Sequence, residues 1–210
     1  MFLNLSGFNL VYLLVAIVIS LTIHEAMHGY VAHWLGDMTA YHSGRLTLNP
    51  LKHIDLTTTV FLPIILISLG LQPFFAAKPV PFDSHNVKYG DFGVALVGIA
   101  GPVINLLIAI ISGVIIKIFL QNLDQTVLNF LVILIEVNIG FFIFNMIPFP
   151  PLDGSRLLYA FSPEIIQRIM RQIESYGFVA IIVFMIFIFQ FISGPIINLE
   201  SGLLNLILKL

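Results

Sequence analysis

Two histidines and a glutamate, His24-Glu25-x-x-His28, close an apolar stretch that carries no charge from Leu10 to Ile23. On a helix, residues four apart share a face, so both imidazoles can grip one metal ion. Glu25 lies about 100° round the same helix, where its carboxylate can hold a water bound to that metal. H-E-x-x-H is the spacing with which peptide-cleaving enzymes hold zinc. The surroundings sharpen the signal. A charge at mid-membrane costs roughly 2.5–3.5 kcal/mol even on lenient insertion scales, so such groups in a lipid-embedded helix mark function. The competing reading is a helix end already in water, carrying ordinary surface histidines.

Catalytic zinc typically takes three protein ligands and keeps a fourth position open. The chain has no cysteine, so the donors must be His, Asp or Glu. Ten residues past His24, where soluble zinc peptidases carry a third histidine, stands Trp34. His33 is nearly opposite His24 on the helix wheel and should not reach the metal. His42, His53 and His85 read as solvated loop histidines near the membrane surface. Asp153 is the better third ligand. It ends the run Asn145-Met146-Ile147-Pro148-Phe149-Pro150-Pro151-Leu152-Asp153, followed by Gly154, where three prolines break a membrane helix. Broken backbone at that depth survives only where protein or a water cavity surrounds it, and such breaks commonly mark binding sites. The alternative is a plain Asp-Gly turn at a helix end.

The elements that must position these residues follow from composition. Of 210 residues, 59% are hydrophobic and 10% charged, against about 25% charged in soluble domains. This is the composition of an integral membrane protein, and a net charge of −2 gives no sign of nucleic-acid binding. The first apolar segment lacks a basic leader, so it does not read as a cleaved signal peptide. There is no internal repeat, no low-complexity tract and no room for an appended soluble domain. Asn9 to about Leu35 reads as one membrane helix ended by Gly36-Asp37. Thr39 to Leu48 reads as short strands closed by Asn49-Pro50. Val60 to Leu71 is apolar but short, and Gln72 to Tyr89 is extended or irregular. Phe92 to Leu120 and Thr126 to Ile147 read as strong membrane helices, the first with Gly93, Gly98 and Gly101 for close helix contacts. Ser155 to Phe161 is a short helix. Pro163 opens another, amphipathic through Ser175 and apolar from Gly177 to Ile192, ended by Ser193-Gly194-Pro195. Ile196 to Leu210 is a last apolar piece. The fold expected is an all-α polytopic membrane protein of about 4–6 membrane helices, with short strands and a re-entrant or extended segment near the site. It forms one domain over 1–210, its core spanning roughly 9–160 and its C-terminal membrane segments 163–210.

Together these motifs resemble the site-2 protease family of intramembrane zinc metalloproteases. The likeness rests on His24-Glu25-x-x-His28, then Ala100-Gly101-Pro102-Val103-Ile104-Asn105 opening a second helix, then the Asn-x-x-Pro…Leu-Asp-Gly segment after a third. It runs from about Ile17 to Leu158. The resemblance implies one zinc per chain held by His24, His28 and Asp153, with Glu25 as general base and Asn105 near the scissile carbonyl, where it could donate to the oxyanion; a helix–helix hydrogen bond is the alternative for Asn105. It implies transmembrane protein substrates, cut in or near the bilayer. The chain lacks PDZ and CBS domains and carries its first motif on its first helix. It is therefore similar to compact prokaryotic members, which carry a stretch like Ala77-Lys78-Pro79-Val80-Pro81.

Topology is consistent with one shared site. If Phe92–Leu120 and Thr126–Ile147 each cross once, Ala100 and Asp153 lie on one side. Gly36 to Asp91 must then cross an even number of times. Val60–Leu71 would span roughly 18 Å as helix, against a hydrocarbon core of about 30 Å, so it reads as re-entrant or half a hairpin. Arg45, Lys52, Lys78, Lys88, Arg156, Arg168 and Arg171 fall on the motif side, and Lys117 opposite. The positive-inside rule then turns the site toward the cytoplasm of a multi-pass cell-membrane protein, with Met1 to Ser6 and Gln121 to Gln125 outside. Within the third helix, Glu136 and Asn138 should face the bundle, as water suppliers or as structural hydrogen-bond groups. Pro79 and Pro81 strip the N–H groups from one edge of Lys78–Phe82, so an unwound substrate could pair along the other edge; a surface loop is the alternative. Two further functions compete with proteolysis: a transporter or channel with a midplane metal site, and an idle scaffold of the same fold.

Overall fold

The computed structural model describes residues 7–70 and 75–209. The outward placement expected for Met1 to Ser6, and the segment ends drawn at Leu71, Gln72 and Leu210, fall outside the described residues. The chain is all-helical there. Its α-helices are α1 (Gly7–Trp34), α2 (Thr39–His42), α3 (Leu62–Ser68), α4 (Gly90–Phe119), α5 (Gln125–Asn145), α6 (Gly154–Phe161), α7 (Glu164–Ser175), α8 (Phe178–Phe187) and α9 (Phe189–Lys209). Among the described residues, four helices are long and apolar enough to cross a bilayer: Leu10–Trp34, Gly90–Phe119, Gln125–Asn145 and Phe189–Lys209. The pair Glu164–Ser175 and Val179–Phe187, bent by 104°, makes a fifth if taken as one span. A bilayer core offers backbone groups no water, so apolar runs of this length close their own hydrogen bonds as helices. This is an all-α polytopic membrane protein.

The outer faces carry large apolar side chains such as Val11, Leu14, Ile111 and Ile118, all exposed and suited to lipid. The inner faces pack α4 against α5 and α1. Ala109, Ile116, Leu131, Ile135, Ile139 and Ile143 form one cluster, closed by Ile207 of α9. Lipid is as apolar as these side chains, so close packing, not exclusion from water, holds the helices together.

Helix α1 ends in a Schellman motif. The Gly36 amide bonds the His33 carbonyl at 3.0 Å, the Asp37 amide bonds Ala32 at 3.0 Å, and Gly36 takes φ +106°. Asp37 is fully buried. One carboxylate oxygen accepts from the Thr39 amide at 3.1 Å and hydroxyl at 2.6 Å. The other accepts from the Asp83 amide at 2.8 Å, tying the end of α1 to the returning segment before α4. Burial would push the Asp37 carboxyl up, but the Thr39 hydroxyl and the Asp83 and Thr39 amides hold it below its ordinary value.

The short strands expected over Thr39–Leu48 are absent, and no strand occurs among the described residues. Asp37 captures Thr39 and starts the helical turn α2, which Gly44 closes at φ +64°. The β-branched residues there find no partner strand. Near the site, two backbone bonds link the returning chain to the segment before α3, Ala76 to Thr58 at 3.3 Å and Lys78 to His53 at 2.7 Å. Pro79 and Pro81 prevent a longer ladder.

A π-helical turn over Leu56–Phe61 leads into α3, and the chain has returned by Ala76, whose carbonyl accepts from the Thr59 hydroxyl at 2.7 Å. Thr59 and Ala76 thus lie side by side, at the two ends of the segment that carries α3. Leu62 and Leu66 pack on Leu152, Ile181, Phe184 and Met185, directly beside Asp153.

Two C-terminal expectations need correction. Gly177, at φ +50°, separates α7 from α8, a conformation that glycine adopts without a Cβ penalty. The apolar run then breaks at Ile188 instead of Ser193-Gly194-Pro195, which α9 passes through. Membrane helices tolerate an internal proline where neighbouring groups satisfy the freed carbonyl.

Candidate metal centre

The C-terminal third of α1, the N-terminal half of α4 and the loop after α5 meet at one point. His24 and His28 stand one turn apart on α1, both buried, with their Nε2 atoms 3.1 Å apart. Asp153 caps the N-terminus of α6 and turns Oδ2 to within 3.0 Å of His24 Nε2 and 3.4 Å of His28 Nε2. Four tetrahedral ligands at zinc's usual 2.0–2.1 Å lie about 3.3 Å from one another, so these three separations fit the edges of such a site. The donor set is also right: two imidazole nitrogens and one carboxylate oxygen are a catalytic-type zinc set. Burial would push the Asp153 carboxyl up, but the two imidazoles beside it hold it well below the usual carboxylate range. The Asp153 side chain is 22% exposed, so the cluster opens to solvent on that side.

Backbone fit explains why α4 comes so close. A Cβ on Gly101 would stand 2.4 Å from His28 Nε2 and 2.6 Å from His24 Nε2. Only a glycine leaves that space to the imidazoles and to whatever they hold. One turn earlier, a Cβ on Gly98 would meet Arg156 at 2.6 Å, at the start of α6. Both glycines serve close contacts, as their sequence spacing suggested. Gly93 instead faces its own lead-in loop, at 1.9 Å from the Lys88 carbonyl for a built Cβ. A Cβ on Gly154 would strike the Met146 carbonyl at 2.3 Å, so the proline loop closes tightly on itself and sets the height of Asp153.

The outer nitrogens of both imidazoles are engaged. His28 Nδ1 donates to the Val97 carbonyl at 2.7 Å. His24 Nδ1 lies 2.6 Å from Asn105 Oδ1. Asn105, expected near a scissile carbonyl, is fully buried behind His24, and its NH2 donates to Asn138 Oδ1 at 2.7 Å. Asn138 faces the bundle, while Glu136 borders a cavity of about 870 Å³ between α5 and α9.

Glu25 stays out of the ligand cluster. Its Oε2 accepts from the Val80 amide at 3.0 Å, so the Ala77–Pro81 stretch lies against the carboxylate. Arg45 pins that stretch by donating to the carbonyls of Lys78 at 2.8 Å and Pro79 at 3.3 Å. Two of the donors expected to stay free for a substrate are thus occupied, Lys78 N–H by the His53 carbonyl and Val80 N–H by Glu25. Of the remaining histidines, His42 and His85 are exposed as expected. His53 is 1% exposed, against the expectation of a solvated loop residue, because its Nε2 donates to the Thr47 carbonyl at 2.8 Å beneath the returning chain. His33 stacks on Tyr41 with ring centres 5.8 Å apart. Sequence reasoning missed Arg45, Asp37 and the Val97 carbonyl. An isolated arginine, an aspartate after a helix-ending glycine and a backbone oxygen carry no motif.

The family model for Peptidase family M50 matches residues 111–189, which include Asp153 but not α1. The chain is 37% identical over 199 residues to the "Putative zinc metalloprotease YwhC" of Bacillus subtilis, covering 89% of this chain and 86% of that one. This chain belongs to peptidase family M50, the site-2 protease family. It is also 28% identical over 167 residues to the "Putative zinc metalloprotease Rip2" of Mycolicibacterium smegmatis, covering 80% of this chain and 63% of that one. Its namesake in Mycobacterium tuberculosis strain H37Rv is 24% identical over 165 residues, covering 79% and 62%. No solved structure matches the chain.

Proposed function

We propose that this M50 member is a zinc endopeptidase that cuts membrane proteins in or near their transmembrane segments. The observation that carries the reading is the convergence of His24 Nε2, His28 Nε2 and Asp153 Oδ2 at 3.0–3.4 Å, beside the Glu25 carboxylate and inside a membrane bundle. One zinc per chain fits these ligands and, when bound, would supply Lewis acidity toward water and the substrate carbonyl. Glu25 accepts the proton of the attacking water and later passes it to the leaving amine. For that step its carboxylate exchanges the Val80 amide for the water. A transmembrane substrate hides its carbonyls in helical hydrogen bonds, so it must unwind locally at the Asp153 side, where the cluster is open. The basic residues flanking the site support a cytoplasmic orientation in the cell membrane.

The test is cleavage of a membrane-spanning substrate by the purified chain in lipid vesicles. Chelation should abolish cleavage and one equivalent of zinc should restore it. Cleavage indifferent to chelator would sink the metal mechanism. Metal flux across sealed vesicles without cleavage would favour a transporter.

A further inference from the structure

Three polar side chains outside the ligand set lie fully buried behind His24: Ser20 of α1, Asn105 of α4 and Asn138 of α5. They form one hydrogen-bonded chain across three helices. Each amide has a donor end and an acceptor end, so the chain has a direction, and its anchors decide which. The Leu134 carbonyl can only accept, so the Asn138 group 2.8 Å from it is the NH2, which also donates to Ser20 Oγ at 2.8 Å. Asn138 Oδ1 is thereby turned toward Asn105. The Asn105 group facing it at 2.7 Å is then also an NH2, which lies 3.4 Å from a second obligate acceptor, the Ser20 carbonyl. Asn105 Oδ1 is left for His24 Nδ1 at 2.6 Å, and that nitrogen must carry the hydrogen. His24 Nε2 keeps its lone pair, aimed at His28 and Asp153.

Resting on the metal site proposed above, we infer that Asn138 and Ser20 are positioning residues that act through Asn105 to fix the His24 tautomer able to bind metal. A reversed Asn105 would present its NH2 to Nδ1, move the ring hydrogen to Nε2 and remove a ligand. His28 needs no such relay, because its Nδ1 faces the Val97 carbonyl, which cannot reverse. The asymmetry accounts for two buried asparagines at mid-bundle, where unsatisfied polar groups are costly.

A double-mutant cycle tests this in detergent-purified protein, read by zinc affinity against a competing chelator and by the cobalt(II) absorption of a tetrahedral site. Asn138→Leu releases Asn105 and should weaken zinc about 10–100-fold, the usual cost of losing an outer-shell partner. Asn105→Asp offers His24 an oxygen whichever way it turns, but sets its other oxygen against Asn138 Oδ1 and the Ser20 carbonyl, so by itself it should bind zinc more weakly than wild type. In the Asn105→Asp background, Asn138→Leu takes away the oxygen facing the new carboxylate and should cost nothing further. Asn138→Ala, with less bulk, repeats the cycle if the leucine variant does not stay monodisperse. Equal losses in both backgrounds would make Asn138 a packing residue and overturn the inference. So would an Asn138→Leu chain with wild-type affinity. A wild-type chain that binds no zinc sinks the metal site and this inference together. Zinc held through His24, His28 and Asp153 but indifferent to the cycle sinks only the inference.

Discussion

The two walls of the site are built differently. Behind the imidazoles, helices α1, α4 and α5 interlock through fully buried amides, and a glycine brings the α4 backbone against the rings. In front, Glu25 and Asp153 are only partly buried and are held by loops, the Ala77–Pro81 stretch and the proline loop. The buried wall has one arrangement, because reversing any of its groups would strand a donor or an acceptor in a dry interior. The loop wall can exchange one hydrogen bond for another at small cost, since water is within reach. The two histidine ligands belong to the first wall, and Asp153 reaches them from the second. A group that must trade partners during turnover belongs on the second. The same contrast separates His24, whose Nδ1 is held inside the bundle by Asn105, from Glu25, one residue on, whose contact is a loop amide.

The sharpest way to break this contrast is to change Glu25 alone. Glu25→Gln keeps size and hydrogen bonding but cannot accept a proton at neutral pH. Activity should fall by at least about two orders of magnitude, the low end of general-base contributions, while zinc content stays at wild type. His24→Ala should lose zinc and activity together. A Glu25→Gln chain that cleaves within a few-fold of wild type would remove Glu25 as base. One that loses zinc would make it a ligand and merge the two walls.

Gly101→Ala probes the buried wall next. The added Cβ would stand within 2.4–2.6 Å of both Nε2 atoms, and neither ring can retreat without breaking its outer hydrogen bond. Zinc affinity should drop at least tenfold, measured by chelator competition, because one ligand must swing away or α4 must move. Gly140→Ala on α5, where a Cβ meets nothing within 4 Å, is the control and should be silent. An unaffected Gly101→Ala chain would show that the buried wall yields after all.

The buried wall was the part most legible in sequence. Charged and amide residues inside apolar runs stand out, because the bilayer makes them expensive. That expense drew attention to His24, Glu25, His28, Asn105 and Asn138. Helix ends were legible within a few residues for the same reason: Gly36, Pro148 and Pro163 punctuate long apolar runs. The loop wall was legible only in its proline content. Thr39–Leu48 has strand-forming residues, but local capture of Thr39 by Asp37 decided its shape, a contact no periodicity encodes. His53 looks like any loop histidine until the returning chain covers it. Asn105 stood out in the sequence, yet its partner did not, since pairing with His24 depends on how α1 and α4 cross.

The smallest expected effect lies where the loop wall is tied to α1. Asp37 accepts three hydrogen bonds, from the Thr39 amide and hydroxyl on one oxygen and from the Asp83 amide on the other. In Asp37→Asn, one amide oxygen can serve Thr39, but the NH2 then confronts the Asp83 N–H, donor against donor. The loss should be about 1–2 kcal/mol, read as a lowered melting temperature in detergent at pH 7. These same bonds depress the folded carboxyl below its unfolded value. Its contribution is therefore complete above an unfolded pKa of about 3.9 and is lost as pH falls through the depressed folded value. The gap between wild type and Asp37→Asn should stay constant from pH 7 to 5 and narrow as the pH drops below 4. A gap that widens on acidification would mean Asp37 is not the anchor of the loop wall. If the gap behaves as expected but zinc affinity is untouched, the two walls are energetically separate, which is what a fixed metal grip beside an exchangeable base requires.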